Sequence, residues 1–259
     1  MKPVNLFILI LVFSFGSAFS PGKQSFEDVQ KTYSRVYQAY KEKEQLINER
    51  CEKFGIPPER FGNMYIRVFK EEREMEVWLQ RPDKKFVLFN QFRMYGNSGT
   101  LGPKREEGDR QIPEGCYHVS NFNPFSNYHL SLGINYPNES DRMLSTAARR
   151  GGSIFIHGSD VSIGCIAMSD DYIEDIYIVA VKARNQGQTK IPVHIFPFKP
   201  TAENMDRHRG RDEYKVYHDL WTNLAQGYQF FEKNNRLPEI SVNSKGYYEF
   251  ADPELAEMK

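Results

Sequence analysis

Cysteine is scarce in this chain. There are three among 259 residues, Cys51, Cys116 and Cys165, and no two form a C-x-x-C pair, which excludes a thioredoxin-like redox motif. Excess charge is missing too. The chain has 34 Lys and Arg against 34 Asp and Glu, so no basic field argues for nucleic acid as a partner. The 6 histidines are scattered, with no two on a shared helical face beside a third ligand, so neither a metal nor another cofactor is expected. Internal repeats and low-complexity segments are absent. The longest apolar stretch, Leu6–Phe15, interrupted only by Ser14, is too short for a comfortable membrane span.

That stretch fits another purpose. Lys2 precedes it, and Gly16-Ser17-Ala18 offers small residues at −3 and −1 for cleavage after Ala18. Residues 1–18 therefore read as a secretory signal peptide. No cysteine follows for a lipoprotein anchor. The expected location is the periplasm or cell envelope of a bacterium, with no stable membrane span after cleavage. In an oxidising compartment an odd cysteine count leaves one thiol free or paired between chains. Cys51 and Cys116 either pair or both stay buried.

What is present suits one substantial core with helical additions, or two modest domains. Residues 25–54 read as one helix. Ser25 and Asp28 fit a capping box, and Val29, Tyr33, Val36, Tyr40, Ile47, Cys51 and Phe54 form one apolar stripe. Gly55 and Pro57-Pro58 stop it. From about Asn63 the period changes to two. Strands are expected at 65–70, 75–80, 85–90, 115–120, 129–134, 153–156 and 191–196, with a loop over 96–108. One internal helix, capped by Asp170 or Asp171, is expected to run to about Asn185 with Ile173, Ile176, Tyr177 and Ala180 inward. After Pro200, Thr201 is a plausible cap. Tyr217, Leu220, Trp221, Leu224, Tyr228 and Phe231 then make a helical stripe that ends at Asn234-Asn235, followed by a frayed polar tail.

The most informative segment is 151–171. A strand ends at His157-Gly158, and Cys165 follows Gly164 eight positions after the histidine. A thiol in a tight loop with an imidazole in reach is how a cysteine nucleophile is built. On residue types alone, a buried cysteine and a capped histidine are the commoner explanation.

Three blocks add to this. Gly108-Asp-Arg-Gln-Ile-Pro-Glu-Gly-Cys-Tyr117, Tyr128-His-Leu-Ser-Leu-Gly-Ile-Asn-Tyr-Pro-Asn138, and Ile156-His-Gly with Ser162-Ile-Gly-Cys-Ile-Ala-Met168 together resemble the L,D-transpeptidase (YkuD) catalytic domain, and within it the YafK-like subgroup. The match covers about residues 63–198. The chain departs from the broader family pattern. Ile163 stands where many relatives have histidine, Ala167 where many have Arg or Asn, and the His-to-Cys spacing is shorter; these fit the subgroup.

The resemblance implies an α+β fold, a β-rich catalytic domain over 62–198 with helical extensions at 25–55 and 200–259. It implies Cys165 as nucleophile, His157 as general base and Gly158 as the carbonyl that holds the imidazole. Ser162 and Gly164 would shape the loop, with the Cys165 and Gly164 amides as oxyanion donors. A close imidazole is expected to lower the thiol pKa. Tyr128, His129, Tyr136 and Arg149 are candidate substrate contacts, although packing explains the two tyrosines and a solvated surface Arg149 more plainly, and a satisfied strand histidine explains His129 equally well. The implied substrate is the peptidoglycan stem peptide, attacked at the position-3 diamino acid carbonyl. An amine acceptor gives cross-linking; water gives hydrolysis, which would trim stems or release wall-linked lipoprotein. A non-catalytic peptidoglycan-binding module is the further alternative, and the intact His157 and Cys165 argue against it.

Overall fold

The computed structural model describes residues 24–96 and 98–256, so the expected signal peptide lies outside the described residues. No helix among them is long and apolar enough to cross a membrane.

The N-terminal helix is two helices. Helix α1 (Phe26–Lys31) carries the expected capping box: Ser25 Oγ accepts from the Asp28 amide, and the Asp28 side chain accepts from Ser25. The chain then breaks. Thr32 Oγ1 donates to the Val29 carbonyl at 2.7 Å, and Tyr33 is extended at φ −82°, ψ 127°. Helix α2 (Ser34–Lys53) follows. A threonine that bonds its own backbone competes with helix propagation, and the break turns the Tyr33 ring edge-on to Phe125 at 5.0 Å. Val36, Ala39, Tyr40, Ile47 and Cys51 are buried on one face of α2.

Next come β1 (Met64–Phe69), β2 (Glu74–Gln80), β3 (Phe86–Arg93), β4 (Gly115–Asn123) and β5 (Ser131–Ile134). Helix α3 (Glu139–Leu144), strands β6 (Phe155–His157) and β7 (Ile166–Ala167), helix α4 (Asp170–Asn185) and strand β8 (Pro192–Phe196) complete the central body. The eight strands form one sheet in the order β3-β2-β1-β8-β4-β5-β6-β7. Strands β1 and β8 are parallel, as are β6 and β7; the other pairs are antiparallel. Past β3, the Tyr95 amide donates to the Ala167 carbonyl at 2.9 Å, and Gly96 bridges Ala167. The two sheet edges therefore approach each other and the sheet curls.

Strand β1 is buried throughout. Ile66 and Val68 join the core under α2 and α4. On the other face, Phe69 packs with Leu220 and Leu224, and Tyr65 with Phe231. These three belong to helix α6 (His218–Asn234), which follows α5 (Ala202–Arg209). The helical stripe read after Pro200 is thus a docking face, as a half-hydrophobic helix requires.

Other details also differ from the sequence reading. Helix α3 is a second internal helix, capped by an Asn138–Asp141 box. Helix α4 is capped by Ser169, not by Asp170 or Asp171, which instead fill its first turn where the dipole favours acids. The C-terminal extension is not purely helical: β9 (Glu239–Val242) and β10 (Tyr248–Ala251) form a hairpin, and a last turn, α7 (Pro253–Ala256), lies in the expected frayed tail. Cys51 and Cys116 are free. Cys51 packs under α2 and Cys116 beside Tyr248, so the open choice resolves against a disulfide.

Candidate active site

His157 and Cys165 stand at the curled edge of the sheet. In the parallel β6–β7 pair, Ile156 lies opposite Ile166 and His157 opposite Ala167. Cys165 immediately precedes β7, so the same register sets it opposite Phe155, two residues before His157. Side chains two apart share a face, and strand spacing and rise put the two Cα atoms roughly 8 Å apart. Both residues line one cleft of ≈ 580 Å³, within the range of small-ligand sites. Its walls also carry Lys104, Glu107, Ser126, Asn127, Tyr128 and Ile163.

The imidazole is fixed from behind. His157 is 3% exposed, and its Nδ1 is 2.5 Å from the Gly158 carbonyl. A carbonyl only accepts, so Nδ1 carries the proton and Nε2 is left as the free base. The Gly158 amide donates to the Tyr128 and Leu130 carbonyls at 3.0 and 3.2 Å. A Cβ on Gly158 would stand 2.5 Å from Asp170 Oδ1 and 2.8 Å from the Tyr128 carbonyl oxygen, so glycine is required there by space. The Tyr128 ring lies over the imidazole, with centroids 4.7 Å apart and planes at 33°.

The thiol loop is closed by Ser162. Its Oγ donates to the Cys165 carbonyl at 2.6 Å and accepts from the Gly164 amide at 3.3 Å. Ser98 Oγ lies 3.3 Å away and, with the single Ser162 proton committed, is the donor of that pair. Gly164 has φ +121°, a conformation that side chains rarely adopt. The Gly164 amide is engaged by Ser162 at rest.

Cys165 Sγ donates to the Ser153 carbonyl at 3.7 Å; no His157–Cys165 hydrogen bond occurs among the described residues. Burial pushes the thiol above its ordinary value, outweighing the Phe155 amide and Lys104, which pull it down. With no imidazole bonded to it at rest, the thiol is held above rather than below its ordinary value. Burial also pushes His157 below its ordinary value, against the opposing effect of the Gly158 carbonyl. The two groups rest as a neutral thiol and a neutral imidazole.

The other candidates divide. Tyr128 is at the cleft. His129 is not: its Nε2 is 2.7 Å from Glu174 on α4. Tyr136 is buried and donates to the Arg150 carbonyl at 3.0 Å. Arg149 is exposed and pairs with Glu107 at 2.6 Å, outside the walls. The sequence reading missed Lys104 and Asp109. The Asp109 carboxylate accepts from Lys104 Nζ at 2.6 Å and from the amides of Arg105, Glu106 and Gln111. It folds the loop that forms one lip, and its signal was the Gly-Asp step of the first matched block. A second cleft, of ≈ 590 Å³, lies between β4, β8 and the C-terminal hairpin, where His118 and His194 sit, apart from the thiol.

The sequence model of the L,D-transpeptidase catalytic domain (YkuD) matches residues 63–195. Over 202 residues, 74% of this chain and 79% of the relative, the chain is 35% identical to YafK, a provisionally named L,D-transpeptidase of Escherichia coli strain K12, and equally to its O157:H7 counterpart. Among solved structures it is similar to the helical cell shape determining protein Pgp2 from Campylobacter jejuni (17% identity, TM-score 0.43, 71% of this chain and 74% of that one). It is also similar to Bdellovibrio bacteriovorus Bd1075 (24% identity, TM-score 0.40, 68% and 62%). The curled sheet and the matched domain define an enzyme of the L,D-transpeptidase kind. The chain belongs to the L,D-transpeptidase catalytic domain (YkuD) family.

Proposed function

We propose that this peptidoglycan-related transpeptidase is an exported cysteine acyltransferase that works through a Cys165 thioester. The observation that carries the reading is the shared cleft: Cys165 and His157 face it from neighbouring strand ends, and the Gly158 carbonyl holds Nδ1 so that Nε2 is a free base. As substrate enters, Nε2 takes the thiol proton and Sγ attacks the carbonyl of the position-3 diamino acid. The Cys165 amide is the donor for the oxyanion. Collapse breaks the amide C–N bond, and His157 returns its proton to the departing D-alanine amine. An acceptor amine then attacks the thioester and gives its proton to His157, which passes it to the departing sulfur and so restores the Cys165 thiol and the neutral imidazole. A neutral resting pair suits this sequence, because the proton moves only when a substrate carbonyl is in place.

The test is mass spectrometry of purified wall fragments incubated with wild type and Cys165→Ala. Tetrapeptide stems and stems linked to a lysine peptide are both supplied. Cys165-dependent dimers that have lost the terminal D-alanine establish the transferase. Release of the lysine peptide without dimers replaces it with a hydrolase. No Cys165-dependent change in either substrate ends the cysteine reading.

A further inference from the structure

We infer that Arg35 is a positioning residue for the active site, holding from the N-terminal extension the loop that seats Tyr128 on His157. The inference rests on the proposed His157–Cys165 pair for its catalytic consequence, but its geometry stands separately. Arg35 lies in the first turn of α2. One nitrogen of its guanidinium, Nη1, donates to two backbone carbonyls, Ser126 at 2.5 Å and His129 at 2.7 Å. Those carbonyls are the two ends of the turn Ser126–His129, so one cation closes it. Charge-assisted bonds to carbonyls are stronger than neutral ones.

The turn needs closing. His129 is left-handed at φ +65°, a region unfavourable for a residue with a side chain. The Tyr128 amide donates to Ser126 Oγ at 3.0 Å. Two further holds come from the helices: Tyr33, at the α1–α2 break, packs on Phe125, and Glu174 of α4 takes the His129 ring. Inside the turn sits Tyr128, whose ring covers the imidazole and whose carbonyl accepts from Gly158. The path from Arg35 to His157 therefore consists of two carbonyl bonds, one turn and one ring contact. Ser126, Asn127 and Tyr128 are also cleft walls, so the same loop forms one lip of the site.

The experiment follows the His157 ring protons by NMR in histidine-labelled full-length protein, alongside turnover on tetrapeptide stems. Tyr128→Leu removes the aromatic ring current and fixes the shifts expected of an uncovered imidazole. Arg35→Ala is expected to move the His157 signals toward those of Tyr128→Leu and to lower kcat about tenfold or more, since small misplacements of a reacting group are costly. Arg35→Lys, which keeps one cationic nitrogen, is expected to restore most of both. Arg35→Gln replaces the alanine variant should that one not fold. His157 signals unmoved in a folded Arg35→Ala or Arg35→Gln overturn the inference. Turnover that survives Cys165→Ala overturns the thiol reading instead, and the ring shifts still decide whether Arg35 holds the loop.

Discussion

Burial disfavours the charged form of any group, and at Cys165 and His157 it acts on an acid and a base at once. The thiol is pushed up and the imidazole down, so the proton stays on sulfur at rest. Since thiolate is the species that alkylates, iodoacetamide labelling of Cys165 in the substrate-free protein should be slow at pH 7. Its rate should rise through a midpoint above the free-thiol value of about 8.5. His157→Ala should abolish turnover and leave that midpoint nearly unchanged, because the phenomenon is burial; a midpoint below 8 in wild type would show a resting ion pair. Gly158→Ala tests the support of the imidazole. The added Cβ meets Asp170 Oδ1 and the Tyr128 carbonyl, so something must shift, and kcat/KM should fall about 100-fold with an unchanged far-UV spectrum. The identities of His157, Gly158, Ser162, Gly164 and Cys165 were legible as motif positions. The Tyr128 stacking, the Ser162 bridge and the roles of Arg35 and Lys104 were not, since each depends on contacts between segments far apart in the chain.

Elements held by local chemistry were the legible ones. The Ser25 box, the Thr201 cap and the inward residues of α4 and α6 follow from spacings within a turn or two, and the structure contains them. Strand β7, at two residues, carries no periodicity to detect and exists because β6 and the Tyr95–Gly96 segment flank it. The C-terminal hairpin had a signal, with Ile240 and Val242 alternating on one strand and Tyr248 and Phe250 on the other, but four-residue strands are marginal alone. They are held by α6, where Asn223 donates to the Tyr248 carbonyl at 2.7 Å and accepts from its amide at 2.8 Å. The lip loop 104–111 belongs to the same class of non-local order and gives a test at this scale. Burial raises the Asp109 carboxyl, but Lys104 and the amides of Glu106, Gln111 and Arg105 outweigh it and hold it below the ordinary carboxylate range. A depressed folded pKa adds stability above the unfolded value, near 3.9, and that stability is lost as pH falls through the folded pKa. Asp109→Ala should therefore cost about 2–4 kcal/mol at pH 7. In urea titrations the difference from wild type should shrink steadily below pH 4; a difference independent of pH would mean the carboxylate charge is not what organises the loop.

At the scale of the whole molecule, the C-terminal extension is joined to the catalytic body through a buried charge pair. Lys70, just after β1, is 2% exposed. Its ammonium donates to the Gly102 and Ile112 carbonyls at 2.7 and 2.9 Å and to Glu114 Oε1 at 2.8 Å. Glu114 accepts from the Gly102 amide at 2.8 Å and, through Oε2, from Trp221 Nε1 of α6 at 2.8 Å. One carboxylate thus joins β1, the base of the cleft loop and the docked helix. Gly102 sits so close to the Tyr217 ring that a Cβ would stand 2.6 Å from it, so the extension also fixes where that loop begins. Breaking a buried pair leaves its partner charged and unsatisfied, at a cost of about 3–5 kcal/mol, whereas removing both charges together is far cheaper. Glu114→Gln should lower the urea midpoint by an amount in that range. Lys70→Met combined with Glu114→Gln should recover much of the loss, and the coupling between the two is the quantity to extract from the double-mutant cycle. Near-additive single effects would mean that the pairing of the two charges itself contributes little. Strong coupling would mean that the paired charges hold the Glu114 carboxylate where it accepts from the Trp221 indole, so a chain cut at residue 200 would leave Glu114 Oε2 without that donor and Gly102 without the Tyr217 ring beside it.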